Sequence, residues 1–219
     1  KDLHIFGPKG LKEIILLQLK LSKSWTNFKL LFHELESKAS ETILTHEKFI
    51  VQSIPLKHRV YTNGFLFKEQ PKERKLVIHK ALEYNIYKVY YKGIKKGKDV
   101  VLENGTIIPN RELTEDPPKA KSYAFCSDTM YTESIVPIIQ GATALYHEST
   151  FLEQHSELAK LTKHTTAVEA AHIAKKANVG LLILGHFSTR YPDYNMFKNE
   201  AISVFENTEI AKDERVFVF

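Results

Sequence analysis

Three short strand-like runs in this chain stop at side chains that bind metals. Ser122–Phe125 gives way to Cys126-Ser127-Asp128-Thr129, Ala142–Tyr146 to His147-Glu148-Ser149-Thr150, and Leu181–Leu184 to Gly185-His186. A fourth run, Ile43–Ile54, ends at Pro55-Leu56-Lys57-His58. Short apolar runs bounded by turn residues read as strands, and a continuous one as a strand buried on both faces. Such strands present functional groups where they end, because the backbone there leaves the core. The tips thus offer Asp128, His147, His186 and His58, and one aspartate with two histidines at such an edge is a transition-metal set. Imidazole with carboxylate suits zinc. A carboxylate bridges two ions readily and an imidazole does not. Three ligands are too few for two zinc ions, and further ligands must come from elsewhere. The plainer alternatives are local: His186 as a cap beside a surface turn, and Asp128 as an Asx-turn or helix cap.

His164 is placed differently. Lys163-His164-Thr165-Thr166 precedes an alanine-rich amphipathic stretch, Ala167–Ala177, and Thr166 with Glu169 has capping-box spacing. A histidine just outside a helix N-terminus is well placed to meet an anion such as phosphate.

The elements that position these residues follow from the pattern. Strands are expected at Leu3–Phe6, Phe28–Leu35, Ile43–Ile54, Val60–Phe67, Ser122–Phe125, Ala142–Tyr146, Leu181–Leu184 and Val216–Phe219. Helices are expected over Leu11–Leu21, Leu76–Tyr84, Thr132–Gln140, Ala167–Ala177 and Tyr194–Glu206. This is an α/β chain. His33 and His46 fall inside strand patterns as surface or packing residues, and His155 and His172 carry no signal.

A chain of 219 residues can bury a full core. No apolar run approaches the roughly 18 residues of a membrane span, and no signal-peptide layout is present. The single cysteine, Cys126, excludes an internal disulfide framework and fits a reducing cytoplasm. The net charge of +5 and isoelectric point near 9.0 suit an anionic partner. That charge is concentrated at Tyr87–Lys98, where lysines alternate with tyrosines. The block around residues 69–118 offers few core residues and reads as an inserted basic arm. Lys92, Lys95, Lys96 and Lys98 are its candidate contacts, with phosphates neutralised by ammonium and bases stacked on phenol rings. The alternative is a solvated protrusion.

The runs ending at His58, Asp128 and Thr150, with His164–Thr166, Gly185–Tyr191 and the opening Gly7–Gly10, resemble in order and spacing those of the ribonuclease Z family. These are tRNA 3′-processing endonucleases of the metallo-β-lactamase superfamily, and the resemblance covers nearly the whole chain. It implies an αβ/βα sandwich fold and two Zn²⁺ ions, held in part by His58, Asp128 and His186 with Asp128 bridging. His147–Thr150 resembles the family's HEAT loop and His164–Thr166 its HST loop. By that resemblance His164 is the general acid and Glu148 orients it and keeps it protonated, while Ser188, Arg190 and Tyr191 bind RNA phosphate. The implied activity is release of the 3′ trailer from precursor tRNA by a hydroxide carried on the metal, in a cytoplasmic homodimer without membrane contact.

Two departures accompany the resemblance. The family's first metal motif, His-x-His-x-Asp-His, does not occur in the 219 residues, and neither does the aspartate assigned as general base. The chain opens at Lys1 on a strand-like run, and is expected to be the C-terminal part of the enzyme and inactive alone. The arm also reads Asn85–Gly93 where the family often carries a Gly-Pro loop, so its contacts do not transfer by position. Two other functions fit the residues: a superfamily hydrolase of small phosphodiesters or arylsulfates, or an RNA-binding module without metals. The lysine–tyrosine arm argues against the former, because a small substrate does not need it.

Overall fold

The computed structural model describes residues 2–219 as two compact units, residues 2–68 with Lys121–Phe219, and Glu69–Ala120. The first unit begins with β1 (Leu3–Pro8), α1 (Leu11–Leu21) and β2 (Leu30–Leu35). The turn into α1 is made at Gly10, whose φ of 91° only glycine adopts without cost. β1 and β2 pair in parallel from Leu3↔Leu30 to Pro8↔Leu35. β3 (Thr42–Thr45), β4 (Phe49–Pro55) and β5 (Asn63–Glu69) follow. The expected single strand over Ile43–Ile54 is therefore a hairpin. Its turn is closed where the His46 amide donates to the Phe49 carbonyl at 2.8 Å and the Lys48 amide to His46 Nδ1 at 3.3 Å.

The second unit holds β6 (Lys75–Leu76), α2 (Ile78–Glu83), α3 (Tyr91–Lys95), β7 (Val100–Val101), β8 (Ile107–Ile108), α4 (Asn110–Leu113) and β9 (Thr114–Glu115). β7 and β8 form a hairpin around Asn104-Gly105, where Gly105 takes a φ of 81°. The sequence reading of few core residues here is corrected. Leu76, Ala81, Ile86, Ile94, Val100, Ile108 and Leu113 form a small core of their own. Their apolar positions are scattered over short elements, so no periodicity announces them. Asn110 is buried among them, its amide donating to the carbonyls of Ile94 and Lys98.

The first unit resumes with β10 (Ser122–Cys126), α5 (Val136–Ile139), β11 (Ala144–Glu148), α6 (Ser156–Thr162), α7 (Ala167–Lys176), β12 (Leu181–Gly185), α8 (Asn195–Ile202) and β13 (Thr208–Ile210). Among the described residues a mixed sheet of seven strands runs in the order β13-β12-β11-β10-β5-β4-β3. β10 to β13 are mutually parallel, and β5 joins β10 antiparallel. The last strand is Thr208–Ile210. Val216 and Val218 alternate as a strand would, but they stay 81% and 91% exposed without a ladder, while Phe219 stacks against Tyr123.

This register builds the site. Cys126 pairs with His147, and Glu148 with Gly185, so three parallel strands end level with one another. The residues just beyond them must share one edge of the sheet. Behind that edge Leu182 and Leu184 are fully buried, each contributing about 1.5–3 kcal/mol by leaving water. α7 packs against β11 and β12 through Ala167, Ala170, Ala171, Ile173 and Ala174, whose small side chains allow close approach. Its capping box is complete: Thr166 Oγ1 accepts from the Glu169 amide, and the Glu169 carboxylate from the Thr166 amide. Such a cap contributes about 1 kcal/mol.

Candidate metal and catalytic site

Four loops meet at this edge, and each brings one of the residues singled out above. His58 lies beyond β4, Asp128 two residues after β10, His164 between α6 and α7, and His186 directly after β12. His186 Nε2 is 3.4 Å from Asp128 Oδ1. The His164 ring lies between the other two imidazoles, with centroids 4.9 Å from His58 and 5.3 Å from His186. Ligand atoms of His58, Asp128 and His164 lie within 4.8 Å of one another, as do those of Glu148, His164 and His186.

Each of the three imidazoles is held at Nδ1. His58 Nδ1–H donates to the Lys163 carbonyl at 2.9 Å, His164 Nδ1–H donates to Glu148 Oε1 at 2.7 Å, and His186 Nδ1 lies 2.9 Å from Thr150 Oγ1. A histidine anchored through one nitrogen offers the other with its lone pair aimed, as metal-binding imidazoles do. The donor set fits a divalent ion of the zinc type. Two nitrogens from His58 and His186 and a carboxylate oxygen from Asp128 are of the right kind, and both imidazoles are held at Nδ1.

The backbone is strained at the same place. Asp128, Lys163 and His186 have φ values of 56°, 59° and 58°, in the left-handed region that residues with a Cβ avoid. Two of these carry candidate ligands, and the third supplies the carbonyl that anchors His58. Such strain is retained where surrounding contacts enforce it, and it gathers at functional sites.

Glu148 is the hub. It is fully buried and accepts hydrogen bonds from the Thr129 amide, the Thr150 amide and hydroxyl, His164 Nδ1–H and the Thr165 amide. Burial alone would raise its pKa, but the hydrogen bonds from His164 and Thr150 outweigh burial and hold the carboxyl below its ordinary range. The same bond raises the pKa of His164 against partial desolvation, with Glu148 and Asp128 adding attraction and Arg59 opposing it. The site thus pairs a carboxylate biased towards its charged form with an imidazole biased towards its protonated form. Such matched acid–base pairs typify catalytic groups.

No family model matches the chain. Ribonuclease Z of Cytophaga hutchinsonii is 45% identical over 216 residues, which are 98% of this chain and 69% of that protein. The chain belongs to the ribonuclease Z family. Human tRNase Z, short form, covers 100% of the chain and 68% of its own at a TM-score of 0.64 and 21% identity. The metallo-β-lactamase fold protein YhfI from Bacillus subtilis covers 99% of the chain and 65% of its own, at a TM-score of 0.61 and 17% identity. The fold is accordingly that of the metallo-β-lactamases.

In this ribonuclease Z chain the remaining expected site residues fall into two groups. Ser188 is half-buried and Arg190 is exposed, its guanidinium 5.5 Å from the centre of the Phe151 ring, so both are within reach of a ligand. Tyr191 is placed differently from these two. It is only 6% exposed, and its hydroxyl accepts from the Leu152 amide at 3.1 Å and bonds His155 Nδ1 at 2.7 Å. Its phenol is committed to ordering the chain after β11. His155 was read as silent, because its partner lies 36 residues away and no local pattern marks it. In the second unit Lys92, Lys95, Lys96 and Lys98 are all exposed, and none makes an ion pair among the described residues. Gly185 is also part of the ribonuclease Z site, through its lack of a side chain. A Cβ there would lie 2.2 Å from the Tyr146 hydroxyl, so the strand end carrying His186 requires glycine.

Proposed function

We propose that this chain carries the zinc-binding and proton-donating residues of an endoribonuclease that removes the 3′ trailer from precursor tRNA. The hydrolytic endoribonuclease activity follows from family membership. The observation that carries the finer reading is that the His58 and His186 rings flank His164, with Asp128 beside both His58 and His186 and the His164–Glu148 pair at 2.7 Å.

His58 and His186, through Nε2, and Asp128, through a carboxylate oxygen, would hold the metal. Zinc in such a site polarises the scissile phosphate and lowers the pKa of water. The chain's own residues do the rest. His164, protonated and held through Nδ1–H by Glu148, gives its Nε2 proton to the 3′ oxygen as the phosphorus–oxygen bond breaks. Glu148 keeps its charge and stabilises the imidazolium until that proton leaves. Ser188 and Arg190 bind phosphate beside the break. Lys92, Lys95, Lys96 and Lys98 bind the RNA backbone, an electrostatic contact that adds affinity without chemistry.

The protein is proposed to act as a homodimer in the cytoplasm, where precursor tRNA is processed. Light scattering reads the oligomeric state directly. No described helix is long and apolar enough to cross a membrane. The activity is tested with the full-length protein and a precursor tRNA labelled in its trailer. Cleavage that stops with a chelator and returns with zinc supports the reading; cleavage indifferent to the chelator overturns it.

A further inference from the structure

Thr150 joins two groups that the proposed function treats separately. Its side chain is buried, with Oγ1 2.5 Å from Glu148 Oε2 and 2.9 Å from His186 Nδ1. A hydroxyl has one hydrogen and two lone pairs, and an ionised carboxylate only accepts. The single hydrogen of Thr150 therefore goes to Glu148. Its oxygen is left to accept, and the remaining partner, His186 Nδ1, must bring the hydrogen of that bond. His186 Nδ1 is thereby fixed as the donor of that bond; in the neutral ring the lone pair then falls on Nε2, the atom 3.4 Å from Asp128 Oδ1.

The geometry points to Thr150 as the positioning residue that sets the tautomer of His186, transmitting the charge of Glu148 to the metal-binding nitrogen. One carboxylate then governs both imidazoles. Oε1 accepts from His164 directly, and Oε2 acts on His186 through the Thr150 hydroxyl. The Thr150 amide, 3.3 Å from the same Oε2, fixes the residue from its backbone as well. This inference rests on His186 being a metal ligand, as proposed above. The hydrogen-bond logic stands without it, and the experiment separates the two.

Valine is close to threonine in shape and lacks the hydroxyl. In Thr150→Val, His186 Nδ1 loses its acceptor, and a free neutral imidazole favours the Nε2–H form, which puts a hydrogen on the atom meant for the metal. Outer-shell partners of this kind typically contribute 10–100-fold to metal affinity. The tautomer is read from ¹⁵N shifts and long-range ¹H–¹⁵N couplings of the His186 ring in the metal-free full-length protein at alkaline pH. Zinc affinity is read by competition with a chromophoric chelator. Wild type and Thr150→Ser are expected to show Nδ1–H and equal affinity. Thr150→Val is expected to shift towards Nε2–H and to bind zinc about 10–100-fold more weakly. An Nε2–H ring in the wild type overturns the inference whether or not the valine variant folds. So does a folded valine variant that keeps the Nδ1–H form. If the tautomer shifts as expected and zinc affinity does not change, the linkage to metal falls, and with it the assignment of His186 as a ligand.

Discussion

The backbone amide of Thr129 donates to Oε1 of Glu148 at 2.7 Å, across nineteen residues of sequence. This bond ties the loop that presents Asp128 to the tip of β11. Through the same oxygen the carboxylate also holds His164, so one buried side chain aligns the Asp128 loop with the His164 imidazole.

Glu148→Gln keeps the shape of the side chain and removes its charge. It is expected to leave donors short of acceptors, at a cost of about 1–3 kcal/mol for each buried group left unpaired. Urea unfolding at neutral pH measures this. A variant as stable as the wild type would mean that the five contacts to Glu148 are not the support described.

The stability difference between that variant and the wild type should depend on pH in both directions. Glu148 has a lowered pKa, so its contribution is present above the ordinary carboxyl value and lost as pH falls through the folded one. His164 has a raised pKa, so its contribution is present below the ordinary imidazole value and lost as pH rises through the folded one. The difference is largest between these limits and shrinks at both ends. A flat difference across pH would contradict the pairing.

Gly185→Ala forces a methyl against the Tyr146 ring, and overpacking of this kind costs about 1–3 kcal/mol. Because His186 follows directly, the variant should also bind zinc more weakly. Adding Tyr146→Ala removes the obstructing ring and should restore part of the zinc affinity. No restoration would mean that Tyr146 is not what excludes a side chain at position 185.

Replacing Lys92, Lys95, Lys96 and Lys98 together by alanine should weaken binding to precursor tRNA and flatten its dependence on salt, because fewer counterions are released. Turnover on a small phosphodiester should not change. A parallel fall on the small substrate would place these lysines in the catalytic machinery instead.

Much of the site was legible because chemistry-bearing residues follow apolar runs. Asp128, Glu148 and His186 were found that way, and the register of β10, β11 and β12 places them at one edge. The Thr166–Glu169 box was equally plain, since capping is local. What stayed hidden was non-local. The Tyr191–His155 bond and the Thr150–His186 bond each span 36 residues. The left-handed φ of Asp128 and His186 could not be read either, because aspartate and histidine tolerate that region without requiring it. Val216–Phe219 looked like a strand because alternation was judged without asking what would pair with it.

The central claim is that His164 gives a proton and does not hold the metal. It is tested most directly by His164→Ala in the full-length protein, with zinc content and cleavage measured on one preparation. A general acid contributes about 10²–10⁴-fold, and turnover on precursor tRNA should fall by about that factor with zinc unchanged. A substrate with a better leaving group should lose less. Loss of zinc from the variant, or an equal fall for good and poor leaving groups, would contradict the account.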